Sequence, residues 1–264
     1  MPRTILLFHA HPDDEAIATG GTIARAKAEG HRVVLVVATR GEEGEHPDGL
    51  LGPDETLGQR REAEQRSAAL GLGIDRLEFL GYRDSGMAGE ATNDSPDCFA
   101  RADREEAAVR LARILAEEAA EVLVIYDDHG GYGHPDHIQV HHVGVRAAEI
   151  AGTPRTYEVT MNRDHLRRMM AAFAGDLPDG VEAPDPAGMD AFGSPEDAIT
   201  TTVDVREYTG AKRAAMAAHA SQLTPESFFL AMPDDAFAAA FGAEWFIRRD
   251  DRTTRETWLF DDPD

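Results

Sequence analysis

Four apolar residues, ILLF at positions 5–8, run straight into the polar cluster HAHPDDE at positions 9–15. An apolar run this short, rich in long aliphatic side chains, predicts a buried first strand. At its end stand His9, His11, Asp13, Asp14 and Glu15. In an open α/β sheet, ligands bind in the crevice beyond the carboxyl ends of the strands. Ionisable groups crowded there repel one another unless a cation or an arranged hydrogen-bond network compensates. His11 and Asp14 have the chemistry to ligate a divalent metal, which leaves Asp13 free to handle a proton.

The same grammar recurs along the chain. RVVLVVA at 32–38 and VLVIY at 122–126 are continuous apolar runs bounded by polar residues, as expected of parallel strands covered on both faces. LEFL at 77–80 reads as a shorter strand. Helices are predicted over 19–29, closed by Gly30, and over 57–70, with Gly71 and Gly73 beyond the end. A further helix is predicted from Asp103, where DREE resembles a capping box and Ala108, Leu111, Ala112, Leu115 and Ala119 recur at helical spacing. Strands alternating with helices predict an α/β fold, a Rossmann-like doubly wound and mostly parallel sheet. The stretches 39–55 and 81–97 lack periodicity, and the first is long for a connection, which points to a functional loop.

Beyond about residue 153 the pattern weakens. Strands are expected at 156–161 and over TTTVDV, EWFIRR and TWLF, helices over 165–174 and 212–222, and a surface loop at 178–195. A single domain over 1–264 is expected, with a core at 1–155 and a C-terminal α/β portion, 156–264, completing a pocket.

Composition narrows the classes of partner. The chain carries 26 Lys and Arg against 49 Asp and Glu, a net charge of −23. Such a field repels nucleic acid and anionic membrane surfaces, and it suits a surface kept soluble or adapted to salt. The lone Cys98 excludes an internal disulfide and a Cys-rich zinc site. No segment approaches the ~20 apolar residues that cross a bilayer, and the first apolar run is too short for a signal peptide. A cytoplasmic protein is expected, and a homo-oligomer is compatible with this composition.

A second polar cluster, Tyr132-Gly133-His134-Pro135-Asp136-His137, follows VLVIY. Parallel strands open on the same rim, so His137 can complete a His11/Asp14/His137 set. Three protein ligands plus water is how a catalytic zinc is usually held. Such a metal polarises a carbonyl and lowers the pKa of its water, Asp13 can accept the water's proton, and Asp136 can hold His134 as an imidazolium that stabilises an oxyanion or protonates an amine. Iron is a possible substitute for zinc, because imidazole and carboxylate ligands do not choose strongly between them. One alternative pairs His137 with His141 on a single helix face, excluding the first cluster. His9, His31, His142 and His219 read as surface or core histidines, and the acids at 42–45 with Asp48 and Asp54 read as a solvated loop. Gly20-Gly21 is not followed by a full GxGxxG pattern, so nucleotide binding has little support.

Taken together, AHPDDE at 10–15 and HPDH at 134–137 resemble the marks of the LmbE-like (PIG-L) zinc de-N-acetylase superfamily. GEEGE (41–45), GQRREAE (58–64), YRDSGMAG (82–89), GGYGHPDH (130–137) and AAHASQ (217–222) are similar to its mycothiol-pathway members. The likeness covers most of residues 4–150 and, more loosely, 205–232. It implies one zinc on His11, Asp14 and His137, with Asp13 as base and His134 as acid or oxyanion partner oriented by Asp136. It also implies that Tyr132 donates to the oxyanion, and that Arg61, Asp84 and Met87 contact the sugar or inositol of an N-acetylated amino-sugar substrate. The chain departs from the pattern at Ala16, where the family often has Ser. Ile17 stands where the branch that cleaves mycothiol S-conjugates tends to have Lys, while AAHASQLTPESFF looks nearer that amidase branch. The implied activity is deacetylation of an N-acetylglucosaminyl-inositol, with the S-conjugate amidase as its alternative.

Two readings lie outside that family. A non-catalytic Rossmann-like module binding Mg²⁺ explains paired aspartates but not Tyr132, His134 and His137 at another strand's end. A metallophosphoesterase is disfavoured, because no basic cluster is evident to hold phosphate.

Overall fold

The computed structural model describes residues 1–173, 188–227 and 229–261. A seven-stranded sheet runs through the molecule in the order β3-β2-β1-β4-β5-β7-β6. Strands β1 (Thr4–His9), β2 (Arg32–Val37), β3 (Arg76–Phe79), β4 (Val122–Tyr126) and β5 (Arg155–Thr160) are parallel neighbours, while β7 (Ala243–Arg248) lies antiparallel to both β5 and β6 (Thr201–Asp204). All five residues of β4 are buried, and so are the last five of β1 and of β2. That is why these strands read as unbroken apolar runs instead of alternating ones. β6 lies at the sheet's edge and alternates buried with exposed.

The helices α1 (Asp14–Ala28), α2 (Leu57–Leu72), α3 (Arg104–Glu117), the single turn α4 (Gly130–Gly133), α5 (Pro135–Ala151), α6 (Arg163–Phe173), α7 (Thr209–Ala218) and α8 (Asp234–Phe241) complete the fold. Several ends are encoded locally. Thr56 and Gln59 form a reciprocal capping box on α2, and Gly73 ends that helix at φ 73°. Asp103 caps α3 by accepting from the Glu106 amide at 2.9 Å, as the DREE pattern predicts. α5 begins with Pro135 directly after its N-cap His134, where a missing amide proton costs nothing.

Two expectations need correction. α1 starts at Asp14, five residues before the predicted start, so acids that looked like a strand-end cluster occupy a helix's first turn. Negative charge there meets the partial positive charge of the free amides. The predicted strand TWLF is irregular chain: Glu256 forms a single bridge to Thr201, while Trp258, Leu259 and Phe260 are buried in the core and Arg25 lies over the Trp258 ring at 4.0 Å. Helix α8 was not foreseen. Of the loop expected at 178–195, positions 178–187 lie outside the described residues. The Gly20-Gly21 pair serves packing, since a Cβ at Gly21 would stand 2.5 Å from Val205. No helix among the described residues is long and apolar enough to cross a membrane.

Candidate active site

The chain's direction of winding reverses between β1 and β4, which are adjacent and parallel. Both polar clusters leave the carboxyl ends of these strands, so both open into the crevice at this switch point. Each then enters a helix at once. Asp13 is the N-cap of α1 and Asp14 its first residue, while His134 is the N-cap of α5 and His137 lies in its first turn.

This brings His11, Asp14 and His137 together. Asp14 bridges the two imidazoles, with Oδ2 at 3.4 Å from His11 Nδ1 and Oδ1 at 3.4 Å from His137 Nε2. The His11 amide also donates to Asp14 Oδ2 at 2.8 Å. Donor atoms of His11, His134 and His137 lie within 4.8 Å of one another, as do those of His11, Asp84 and Asp136. Both ring nitrogens of His137 are buried without a hydrogen-bond partner, although buried polar atoms are nearly always satisfied. Its ring is held by stacking on Tyr126, centroids 4.1 Å apart and planes 8° apart. The Tyr126 hydroxyl in turn meets His9 Nδ1 at 2.8 Å, and His9 Nε2 meets Thr19 Oγ1 at 3.0 Å. An orphaned imidazole beside a carboxylate and a second imidazole fits a divalent cation. Burial pushes the Asp14 carboxyl up, but His137 and His11 more than offset this and hold it well below the usual range.

Asp136 does not serve His134 as the sequence suggests. Its buried carboxylate accepts from the Ser85 amide at 3.0 Å and from the Ser85 hydroxyl, and it meets His11 Nε2 at 3.2 Å. With Nε2 engaged there, Nδ1 of His11 faces Asp14. A carboxylate behind a metal-binding imidazole fixes its tautomer in this way. His134 instead uses Nδ1 to accept the Asp136 amide at 3.1 Å. Burial first, then the neighbouring His11 and His137, lower its pKa to about 4. Its neutral form therefore carries the proton on Nε2.

Asp13 has φ 102° and ψ −30°. Burial raises its carboxyl to about 6 against the pull of the Arg61 guanidinium. Tyr132 is 39% exposed at the rim, with its ring centroid 5.0 Å from that of His137 and 6.5 Å from that of Phe192. Burial and the charge of Asp14 raise its hydroxyl pKa.

Of the residues expected to touch a sugar, only Met87 is exposed. Arg61 is buried, donating to the carbonyls of Gly41 and Pro12 at 2.9 and 2.7 Å and to Asp13 Oδ2 at 3.2 Å. Asp84 accepts from the amides of Gly86 and Glu43 at 2.9 and 3.2 Å, with His11 Nε2 at 3.4 Å. Both order the loops that wall the site. His141 meets the Tyr126 carbonyl at 3.0 Å from Nδ1, so it faces the sheet and makes no ligand pair with His137. Ser85 and Tyr126 escaped the sequence reading, and so did the pairing of Glu15 with His219, two residues that read only as a cluster acid and a surface or core histidine. A hydroxyl or a lone histidine carries no periodic signal, and each gains its meaning from a contact made elsewhere in the fold.

Comparison with known proteins adds an independent line. The family described as PIG-L: GlcNAc-PI de-N-acetylase matches residues 6–148. A 1D-myo-inositol 2-acetamido-2-deoxy-alpha-D-glucopyranoside deacetylase from Thermomonospora curvata is 43% identical, over 94% of this chain and 91% of its own length. Among solved structures, the N,N'-diacetylchitobiose deacetylase from Pyrococcus horikoshii superposes with a TM-score of 0.57 at 22% identity, covering 94% of this chain and 84% of that one. The 4-carboxy-2-hydroxymuconate hydratase from Pseudomonas putida reaches a TM-score of 0.63 at 19% identity, covering 96% and 98%. Such distant likeness shows the fold alone, and one fold hosts many chemistries. The sequence match, extending through both clusters and most of the chain, is closer: the chain belongs to the PIG-L, GlcNAc-PI de-N-acetylase, family.

Proposed function

We propose that the protein hydrolyses the acetamide of an N-acetylglucosaminyl inositol, releasing acetate and the free amine. The observation that carries this reading is the buried His11–Asp14–His137 cluster, with its orphaned His137 nitrogens, opening beside Asp13 at the sheet's switch point. The extensive likeness to a deacetylase of that name supplies the substrate class.

His11 through Nδ1, Asp14 and His137 would hold the cation, for which zinc suits the donor set and Fe²⁺ is a possible alternative. When bound, the metal supplies Lewis acidity toward the amide carbonyl and toward water. Asp13 accepts the proton of the attacking water on its carboxylate and returns it to the departing nitrogen, so the proton balance closes on one group. His134 donates from Nε2–H to the oxygen that becomes negative, because its Nδ1 is committed to the Asp136 amide. The Tyr132 hydroxyl is a second donor to that oxygen from the rim. Asp136 keeps His11 in the tautomer that leaves Nδ1 free. Met87, exposed on the loop that follows β3, would contact the polyol, while Arg61 and Asp84 would shape the walls around it.

The test is primary-amine release from N-acetylglucosaminyl inositol, with a mycothiol S-conjugate amide as comparison and metal content measured on the same samples. Acetate and amine in equal amounts from the first substrate are expected, with loss of turnover on chelation. In Asp13→Asn the rate should fall by ~10²–10⁴-fold, the usual worth of general acid–base help, with the metal retained. Preferential cleavage of the S-conjugate would transfer the assignment to the amidase, and chelation without effect would remove the metal from it.

A further inference from the structure

Asp13 holds a backbone conformation that residues with a side chain rarely adopt, φ 102° and ψ −30°. Such a conformation costs ~1–3 kcal/mol and persists only where the surroundings over-determine it. Two groups grip it. From one side Arg61 Nη2 donates to the Pro12 carbonyl at 2.7 Å and to Asp13 Oδ2 at 3.2 Å. From the other, the Asp13 amide donates to Glu15 Oε2 at 3.2 Å, and Glu15 Oε1 meets His219 Nε2 at 2.9 Å. Glu15 and His219 are both fully buried, and neither has a part in the chemistry set out above.

His219 comes from just beyond α7, 204 residues after Glu15. Its own position is over-determined. Its amide donates to the Met216 carbonyl at 3.1 Å, and its carbonyl accepts from the amides of Gln222 and Leu223 at 2.9 Å each. Two residues on, Ser221 donates to Glu64 of α2 from its amide at 2.9 Å and from its hydroxyl at 2.6 Å. The turn that carries His219 is thereby tied to α2, and the imidazole reaches Glu15 in the first turn of α1 through Nε2 while its buried Nδ1 has no hydrogen-bond partner. A buried ion pair is weak evidence for stability, since desolvation offsets much of its attraction. What this one supplies is a fixed acceptor beneath a strained amide.

We propose that Glu15 and His219 form a positioning pair for the base: His219 fixes the Glu15 carboxylate, which holds the Asp13 backbone so that its side chain faces the substrate. This rests on Asp13 being the proton acceptor. His219→Ala would leave Glu15 free to turn away and Asp13 free to relax. A displacement of about 1 Å in a reacting group costs up to ~10²-fold in rate.

The experiment measures kcat, KM, metal content and thermal midpoint for the full-length, metal-loaded wild type, His219→Ala, His219→Gln, Asp13→Asn and the double variant Asp13→Asn/His219→Ala. Expected in His219→Ala is a loss of ~10–10²-fold in kcat, with KM and metal content near wild type. His219→Gln should recover most of that loss, because its amide can donate to Glu15 from a similar reach. In the Asp13→Asn background, His219→Ala should cost nothing further, since groups acting through one another are not additive. If His219→Ala does not fold, Glu15→Asp keeps the charge, shortens the reach and should show the same loss and the same non-additivity. An equal fall in both backgrounds would overturn the positioning role and leave the base in place. So would an equal loss in His219→Ala and His219→Gln. A wild-type rate in Asp13→Asn would overturn the base and the positioning pair together.

Discussion

At the scale of single residues, the site is built from shared partners. Asp136 holds Ser85 and His11, so removing the serine should be felt at the metal. Asp136→Ala is expected to weaken metal affinity ~10–100-fold, the usual cost of losing a ligand's outer partner, as read by competition with a chelator, and Ser85→Ala, which acts only through Asp136, should weaken it less. His137→Ala should abolish stoichiometric metal and turnover together. The Glu15–His219 pair carries a pH signature in stability. Burial pushes the His219 imidazole down, but Glu15, with Asp13 and Glu64, raises it above its ordinary 6.5. Burial pushes the Glu15 carboxyl up, but His219 more than reverses this and holds it below its ordinary 4.5. A raised imidazole contributes stability that is full below its unfolded value and is lost as pH rises through its folded one. A depressed carboxyl contributes stability above its unfolded value and loses it as pH falls through its folded one. The gap in unfolding free energy between wild type and His219→Gln should therefore be widest between about 4.5 and 6.5. It should narrow toward higher pH, as measured by urea titration from that range upward. A gap that grew with rising pH would contradict the pairing.

At the scale of elements, two helix starts and two strand ends make the site, and small residues let them meet. Gly130 has φ +69°, and a Cβ there would stand 2.7 Å from His137 Cβ and 2.9 Å from the Ile138 nitrogen. Gly130→Ala should cost at least ~1–3 kcal/mol from the backbone alone and displace His137, measurable as a lower thermal midpoint with reduced metal retention. On the far side of α1, Lys212 of α7 and Glu244 of β7 form a buried ion pair at 2.6 Å, and Glu244 also accepts from the amides of Gly21 and Thr22 at 2.9 and 2.8 Å. Glu244→Ala strands a buried ammonium, and breaking such a pair costs ~3–5 kcal/mol. The C-terminal portion is thus clamped to the first helix, which explains how His219 keeps its register beneath Asp13.

At the scale of the whole molecule, a net charge of −23 works against compactness. Raising salt from roughly 0.01 to 0.15 M shortens the screening length from ~30 to ~8 Å, so the thermal midpoint should rise over that range. A flat or falling midpoint would count against self-repulsion as a destabilising force. The charge balance, the parallel strands and both clusters were legible in the sequence, because each is a local matter. Runs such as VLVIY have one comfortable environment, and a Pro after His134 marks a helix start from neighbours alone. Grouping His11, Asp14 and His137 also followed, since parallel strands share a rim. The partners were not legible. Asp136 stands two residues from His134 yet bonds His11 and Ser85, because a helix's first turn aims successive side chains in different directions. Arg61, expected at the substrate, also bonds the Pro12 carbonyl and Asp13, which no local pattern announces, and TWLF has a strand's composition but pairs with no strand among the described residues. Composition and period are properties of a stretch of chain, whereas a hydrogen-bond partner at a distance of 204 residues exists only once the sheet has brought both ends to the same crevice.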